Sequence, residues 1–190
     1  ASPAVGSVLR LPALAATLRA IAAGGARAFY QGAIAADIAA TVQAAGGLLA
    51  AEDLAHHRGD VVTPISTSYR GLDVVELPPN GQGLAALEML NILAGYDVKK
   101  MEPGSAEFAH LFIEAKKLAY ADMVRYVGDP NFSKVPVPEM ISKDHGKRRA
   151  TLIDPAKAAC TVQPSEFSGL TTGHGGDTIY LSAVDSEGNI

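Results

Sequence analysis

Between positions 84 and 93, Leu84, Leu87, Met89, Leu90, Ile92 and Leu93 crowd apolar side chains onto one short segment, which Gly95 ends. The spacing is helical, and a helix this apolar has to be buried. Further on, Ser105 stands where a helix cap belongs. Phe108, Leu111, Phe112, Ala115, Leu118 and Ala119 then recur at helical spacing until Asp122. These segments predict two helices at the centre of a core. Asp122 falls on the apolar face of the second, where a buried carboxylate needs a partner. Lys117, Arg125 and nearby backbone amides are the expected ones, in a structural ion pair rather than a catalytic role.

The other segments fit the same helical picture. Pro12 suits the first turn of a helix carrying Leu14, Leu18 and Ile21, which Gly24 and Gly25 should end. Ile34, Ile38 and Val42 mark a second helix closed by Gly46 and Gly47, and Glu52, Asp53 and Leu54 a short helical turn. Residues 61–69 and 72–77 are rich in Val, Ile and Thr and flank Arg70 and Gly71, which predicts a hairpin or two short extended strands, with Pro64 marking an edge or a break. Gly128, Asp129 and Pro130 stop the long helix, Pro136 and Pro138 keep the next segment extended, and Ser142 can cap another short helix. Lys143, Lys147, Arg148 and Arg149 read as one solvated face.

The expected fold class is therefore α+β and predominantly helical, with short strands near 61–77 and 178–185. Residues 1–160 would form a helical part with a small hairpin, and 161–177, rich in Thr, Ser, Pro and Gly, a flexible linker. Residues 178–190 would form a strand and a turn. The return strand of that hairpin should begin near Ile190, so the sequence reads as cut mid-hairpin.

With 16 Lys and Arg against 20 Asp and Glu, and a net charge of -4, the chain carries no basic footprint for nucleic acid. No apolar run is long enough to span a bilayer. Cys160 is the single cysteine, which excludes an internal disulfide.

Several local patterns invite chemistry that their context does not support. Gly81, Gln82, Gly83 and Ala86 fit a dinucleotide-type glycine motif, but Pro78, Pro79 and Asn80 lengthen the turn, and the acidic residue at the required distance, Glu102, lies in a loop. The bland reading, a glycine-rich helix start, is preferred. His56 and His57 are neighbours whose side chains diverge, and no ligand spacing links them with His110, His145 or His174. No metal and no cofactor is expected. Pairing Ser165 or Ser168 with His174 and Asp177 as a serine triad has no basis without geometry.

One ordered series is more specific than any of these. It comprises Phe29-Tyr30-Gln31-Gly32, Gly46-Gly47, Glu52-Asp53-Leu54, Tyr69-Arg70-Gly71, Pro78-Pro79, the run from Glu114 to Asp122, Gly128-Asp129-Pro130, and a threonine, Thr178, where a glycine-rich tether meets β-forming residues. In this order the series resembles the γ-glutamyltranspeptidase family over nearly the whole chain. Met123 departs from it, since family members often carry arginine there.

The resemblance implies part of an αββα N-terminal nucleophile hydrolase, covering the late large subunit and the start of the small one. It implies that Thr178 cuts the chain after Asp177 and then serves as nucleophile for a γ-glutamyl donor such as glutathione, with water or an amine as acceptor. The partner would be the remainder of the small subunit. Oxyanion donors and most substrate contacts would lie beyond Ile190, so this stretch alone is expected to be inactive. A β-lactam side-chain (glutaryl) acylase or a poly-γ-glutamate depolymerase shares the same nucleophile logic. From another class, a noncatalytic helical interaction module would use the apolar faces of the 84–93 and 105–122 helices as partner surfaces. Any native targeting signal would lie outside this chain, so localisation is not legible in it.

Overall fold

A computed structural model describes residues 3–167, and the chain separates at Val61 into two compact units. In the first, helix α1 (Pro12–Tyr30) begins on a proline, whose missing N–H costs nothing at a helix start. Its helical geometry breaks at Gly25, where φ is 61°. The expected stop at Gly24 and Gly25 is thus a kink, after which helix resumes to Tyr30. Helix α2 (Ala33–Ala44) ends at Gly46, whose φ of +84° suits glycine. In α3 (Ala51–His56), the Asp53 carboxylate accepts the Ala50 N–H at 2.8 Å, fixing the first turn. His56 and His57 are exposed, as expected, and the His57 ring stacks on Tyr30.

The second unit opens with the predicted hairpin. Strands β1 (Ile65–Tyr69) and β2 (Leu72–Glu76) pair antiparallel, with Ile65 opposite Glu76 and Tyr69 opposite Leu72. Arg70 and Gly71 both take positive φ, 54° and 87°, as a two-residue turn between twisted strands requires. β1 starts only after Pro64, whose ring nitrogen has no hydrogen to donate to the ladder.

Helix α4 (Gly83–Leu93) is the hub of this unit, packed against α5 (Ala106–Tyr126), α7 (Lys143–Ala150), the short α6 (Val137–Met140) and the hairpin. Leu84, Leu87, Ile92 and Leu93 on α4, and Leu111, Ala115, Leu118 and Ala119 on α5, are all buried. Most of the helix faces that an interaction module would have offered to a partner are covered inside the unit, although Phe112 of the α5 face is exposed. Ser105 Oγ accepts the Phe108 N–H at 3.1 Å and Ser142 Oγ the His145 N–H at 3.2 Å, so both predicted caps are in place. Residues 137–140, expected to be extended, form one helical turn, with Pro138 where a first-turn proline is tolerated.

The basic segment is not one solvated face. Lys147 and Arg148 are exposed, but Arg149 is buried. Lys143 Nζ reaches Asn91 Oδ1 at 2.6 Å, Thr67 Oγ1 at 2.9 Å and the Ser68 carbonyl, tying α7 to α4 and the hairpin. None of the described helices is long and apolar enough to cross a membrane.

Candidate functional site

Three helices of the second unit each turn an ionisable side chain into the core. On α4, Glu88 lies four positions from both Leu84 and Ile92 and so shares their buried stripe. On α5, Asp122 continues the face of Leu118 and Ala119. On α7, His145 and Arg149 are one turn apart and point the same way. His145 Nε2 lies 3.0 Å from Glu88 Oε1 and 3.2 Å from Asp122 Oδ2. Arg149 donates from Nη2 to Asp122 Oδ1 at 3.3 Å and to the Leu118 carbonyl at 2.8 Å. Its Nε is also 3.3 Å from Asp122 Oδ2, close enough for charge attraction but not aligned as a hydrogen bond.

Burial at this depth decides the protonation states. Desolvation, reinforced by Asp122 and only partly offset by His145, pushes the Glu88 carboxyl up to about 8. Burial pulls the His145 imidazole down, but hydrogen bonds to Asp122 and Glu88 outweigh it and raise His145 to about 9. Burial would also raise Asp122, yet hydrogen bonds from His145, Glu88 and the Ser165 amide, with the Arg149 charge, hold it below the usual carboxylate range. Near neutrality the cluster is therefore an Asp122 carboxylate between an imidazolium and a guanidinium, with Glu88 protonated. A neutral Glu88 also makes tolerable its Oε2, which is buried without a partner among the described residues.

Donor atoms of Glu88, Asp122 and His145 lie within 4.8 Å of one another, and imidazole with two carboxylates is a metal-binding set by type. The charges oppose that use. A divalent ion would have to displace the proton His145 shares with both carboxylates and then sit beside the Arg149 guanidinium.

What the cluster does hold is backbone. Residues 159–167 are laid along α5 in its own direction. Lys117 Nζ, paired with Glu114 at 2.5 Å, donates to the Ala159 carbonyl at 2.7 Å, and the Ala159 N–H donates to Glu114 Oε2 at 3.3 Å. Arg149 Nη1 donates to the Gln163 carbonyl at 3.0 Å. Ser165 donates its amide to Asp122 Oδ1 and its hydroxyl to Oδ2 at 2.8 Å. Tyr126 Oη then donates to the Ser165 carbonyl at 2.6 Å and accepts the Phe167 N–H at 3.3 Å. The Phe167 ring packs 5.1 Å from Tyr126 and 5.2 Å from His145. As far as Phe167, then, a run whose composition reads as linker is strapped down.

Thr178 and Asp177, the sequence-predicted nucleophile and cut site, lie outside the described residues, as do Ser168 and His174. Ser165 is no triad serine, since its hydroxyl is given to Asp122. Of the partners expected for Asp122, a backbone amide is present, that of Ser165. Lys117 serves Glu114 and Ala159 instead, and Arg125 donates to Tyr126 Oη at 3.1 Å. The cations on Asp122 are His145 and Arg149, from a segment that sequence placed in solvent. Glu88 was missed altogether, although its place on the stripe of Leu84 and Ile92 was there to be read. At the glycine-rich helix start, a Cβ on Gly83 would lie 2.5 Å from Glu76 Oε2, so the glycine permits close packing against β2, and Tyr120 Oη donates to Gln82 Oε1 at 2.9 Å.

Comparison with known proteins agrees with the ordered motifs. A sequence model described as Gamma-glutamyltranspeptidase matches residues 1–190. The glutathione hydrolase proenzyme of Escherichia coli (strain K12) is 40% identical over 179 residues, covering 93% of this chain and 30% of that protein. The crystal structure of Helicobacter pylori γ-glutamyltranspeptidase superposes with a TM-score of 0.69 at 31% identity, over 84% of this chain and 46% of that one. That of a cephalosporin acylase from Bacillus halodurans gives 0.66 at 42% identity, over 80% and 28%. The chain spans about 30% of the length of the curated relatives it matches. Its helices and small hairpin accordingly match solved structures of one family, and the chain belongs to the γ-glutamyltranspeptidase family.

Proposed function

We propose that, in the full-length protein, Thr178 is the nucleophile of a γ-glutamyl hydrolase or transferase and is exposed by self-cleavage after Asp177. The observation that carries this reading is the family match running unbroken through Thr178, together with relatives named as proenzymes. Thr178 Oγ attacks the Asp177 carbonyl carbon. The peptide C–N bond breaks, the hydroxyl proton passes to the leaving nitrogen, and an ester joins the two residues. Water hydrolyses the ester to an Asp177 carboxylate and a free Thr178. The new α-amine, with an ordinary pKa of roughly 7.7–8.0, is the base the hydroxyl lacked. It takes the hydroxyl proton as Oγ attacks a γ-glutamyl carbonyl, the donor's amide C–N bond breaks and its amine leaves with that proton, and water or an amine then receives the acyl group, returning a proton to Oγ. Residues 161–177 would lead to the cut and 178–190 would begin the small subunit, whose remainder completes the site.

A second reading keeps the nucleophile and changes the donor. The 42% identity to the Bacillus halodurans cephalosporin acylase favours a β-lactam side-chain acylase. Mass spectrometry of the full-length protein tests the shared mechanism, since an active protein with the Asp177–Thr178 bond intact would refute it. A panel of glutathione, γ-glutamyl anilide and glutaryl β-lactam donors separates the two readings.

A further inference from the structure

The strongest polar anchor in the second unit is spent on the segment that precedes Asp177 and Thr178. Asp122 receives both the amide and the hydroxyl of Ser165, so it fixes backbone position as well as a side chain. Asp122 is itself immobilised by His145 and Arg149. The Tyr126 hydroxyl closes the clamp on the far side, with its one hydrogen given to the Ser165 carbonyl and its oxygen accepting from Phe167 and Arg125.

We propose that Asp122 is a positioning residue for self-cleavage, holding Ser165 so that the chain runs to the Asp177–Thr178 bond from a fixed point. The inference rests on the reading of Thr178 given above. With the clamp closed, eleven positions separate Phe167 from Thr178. With it open, the next side-chain anchor is Arg149 on the Gln163 carbonyl, fifteen positions away. Loop-closure entropy grows as three halves of the logarithm of length, so opening the clamp lowers the local concentration of the scissile bond at its reaction site by a factor of about 1.6. Loss of direction at Ser165 adds to that. Neither effect touches the α-amine or hydroxyl of a threonine already released, so the clamp acts on maturation and not on turnover.

The test uses the full-length precursor, with the combined variant Tyr126→Phe and Ser165→Pro, which removes the Tyr126 hydroxyl and both Ser165 donors to Asp122 and keeps the buried charges. The appearance of the small subunit is followed over time, and donor hydrolysis is measured per matured molecule. Cleavage should slow by about 1.6-fold or more while turnover of matured enzyme stays unchanged. Asp122→Asn keeps one oxygen for the Ser165 amide and should also mature slowly and then turn over normally. Variants cut as fast as the wild type would overturn the proposal. So would a slowing matched by an equal loss of turnover, which marks a general structural role. A wild-type precursor that is never cut at Asp177–Thr178 would instead sink the reading of Thr178 itself, and is distinguished by needing no variant.

Discussion

His145 Nε2 lies 3.0 Å from Glu88 Oε1 across 57 positions of sequence, and both side chains are buried. A carboxyl and an imidazole in this setting hold their protons more tightly than in the unfolded chain, and stability must then depend on pH.

For Glu88 the folded value, about 8, stands above the ordinary 4.5, and for His145 about 9 stands above 6.5. A raised folded value gives stability that is fully present below the unfolded one and lost as pH rises through the folded one. Asp122 is lowered below 3.8, so its contribution is present above that pH and lost as acid titrates the folded carboxylate. For these groups the second unit should therefore be most stable at about pH 4, weakening from pH 4.5 upward and most steeply between 6.5 and 8, where both groups act. Urea midpoints at pH 5, 7 and 9 check this. His145→Gln should flatten the alkaline limb, and a profile equally steep in that variant would remove His145 as its cause.

Asp122→Ala should destabilise the chain by about 3–5 kcal/mol, because it strands an imidazolium and a guanidinium in the core and frees Ser165. Replacing the charges together should cost far less. Asp122→Leu combined with Arg149→Met, His145→Leu and Glu88→Leu leaves no unpaired ion and no orphaned carboxyl, and buried pairs exchanged for apolar groups are often near neutral. Denaturant unfolding of both proteins decides the matter. Equal losses would mean that packing, and not charge, dominates at Asp122.

Most of the architecture was legible because it rests on local rules. The stripe from Leu84 to Leu93, the Ser105 and Ser142 caps and the Arg70-Gly71 turn all announce themselves within a few residues. The buried cluster was not, because its members come from three helices, and only packing reveals which face of α7 looks inward. Lys147 and Arg148 sit between His145 and Arg149 in sequence and on the opposite side in space, so a basic run concealed two buried cations. The strap was hidden for a related reason. Thr, Ser and Pro do read as linker when unpartnered, and apart from Arg149 on Gln163 the partners of residues 159–167 lie about forty positions upstream on α5.

Gly146 offers a case where two rules disagree and a distance decides between them. On propensity alone, Gly146→Ala in the middle of α7 should stabilise by about 1 kcal/mol. A Cβ there would, however, lie 2.7 Å from the Asn91 carbonyl carbon, 2.8 Å from its oxygen and 2.6 Å from its Cβ. Those atoms belong to α4 and cannot swing aside as a side-chain end would. The helices must separate, and with them His145 and Arg149 draw back from Glu88 and Asp122. Overpacking of this kind costs about 1–3 kcal/mol, so the net effect should be a loss. Gly59→Ala, where a Cβ meets nothing within 4 Å, is the control and should leave the unfolding midpoint unchanged. If Gly146→Ala raised the midpoint, the close approach of α7 to α4 on which the whole cluster depends would be wrong.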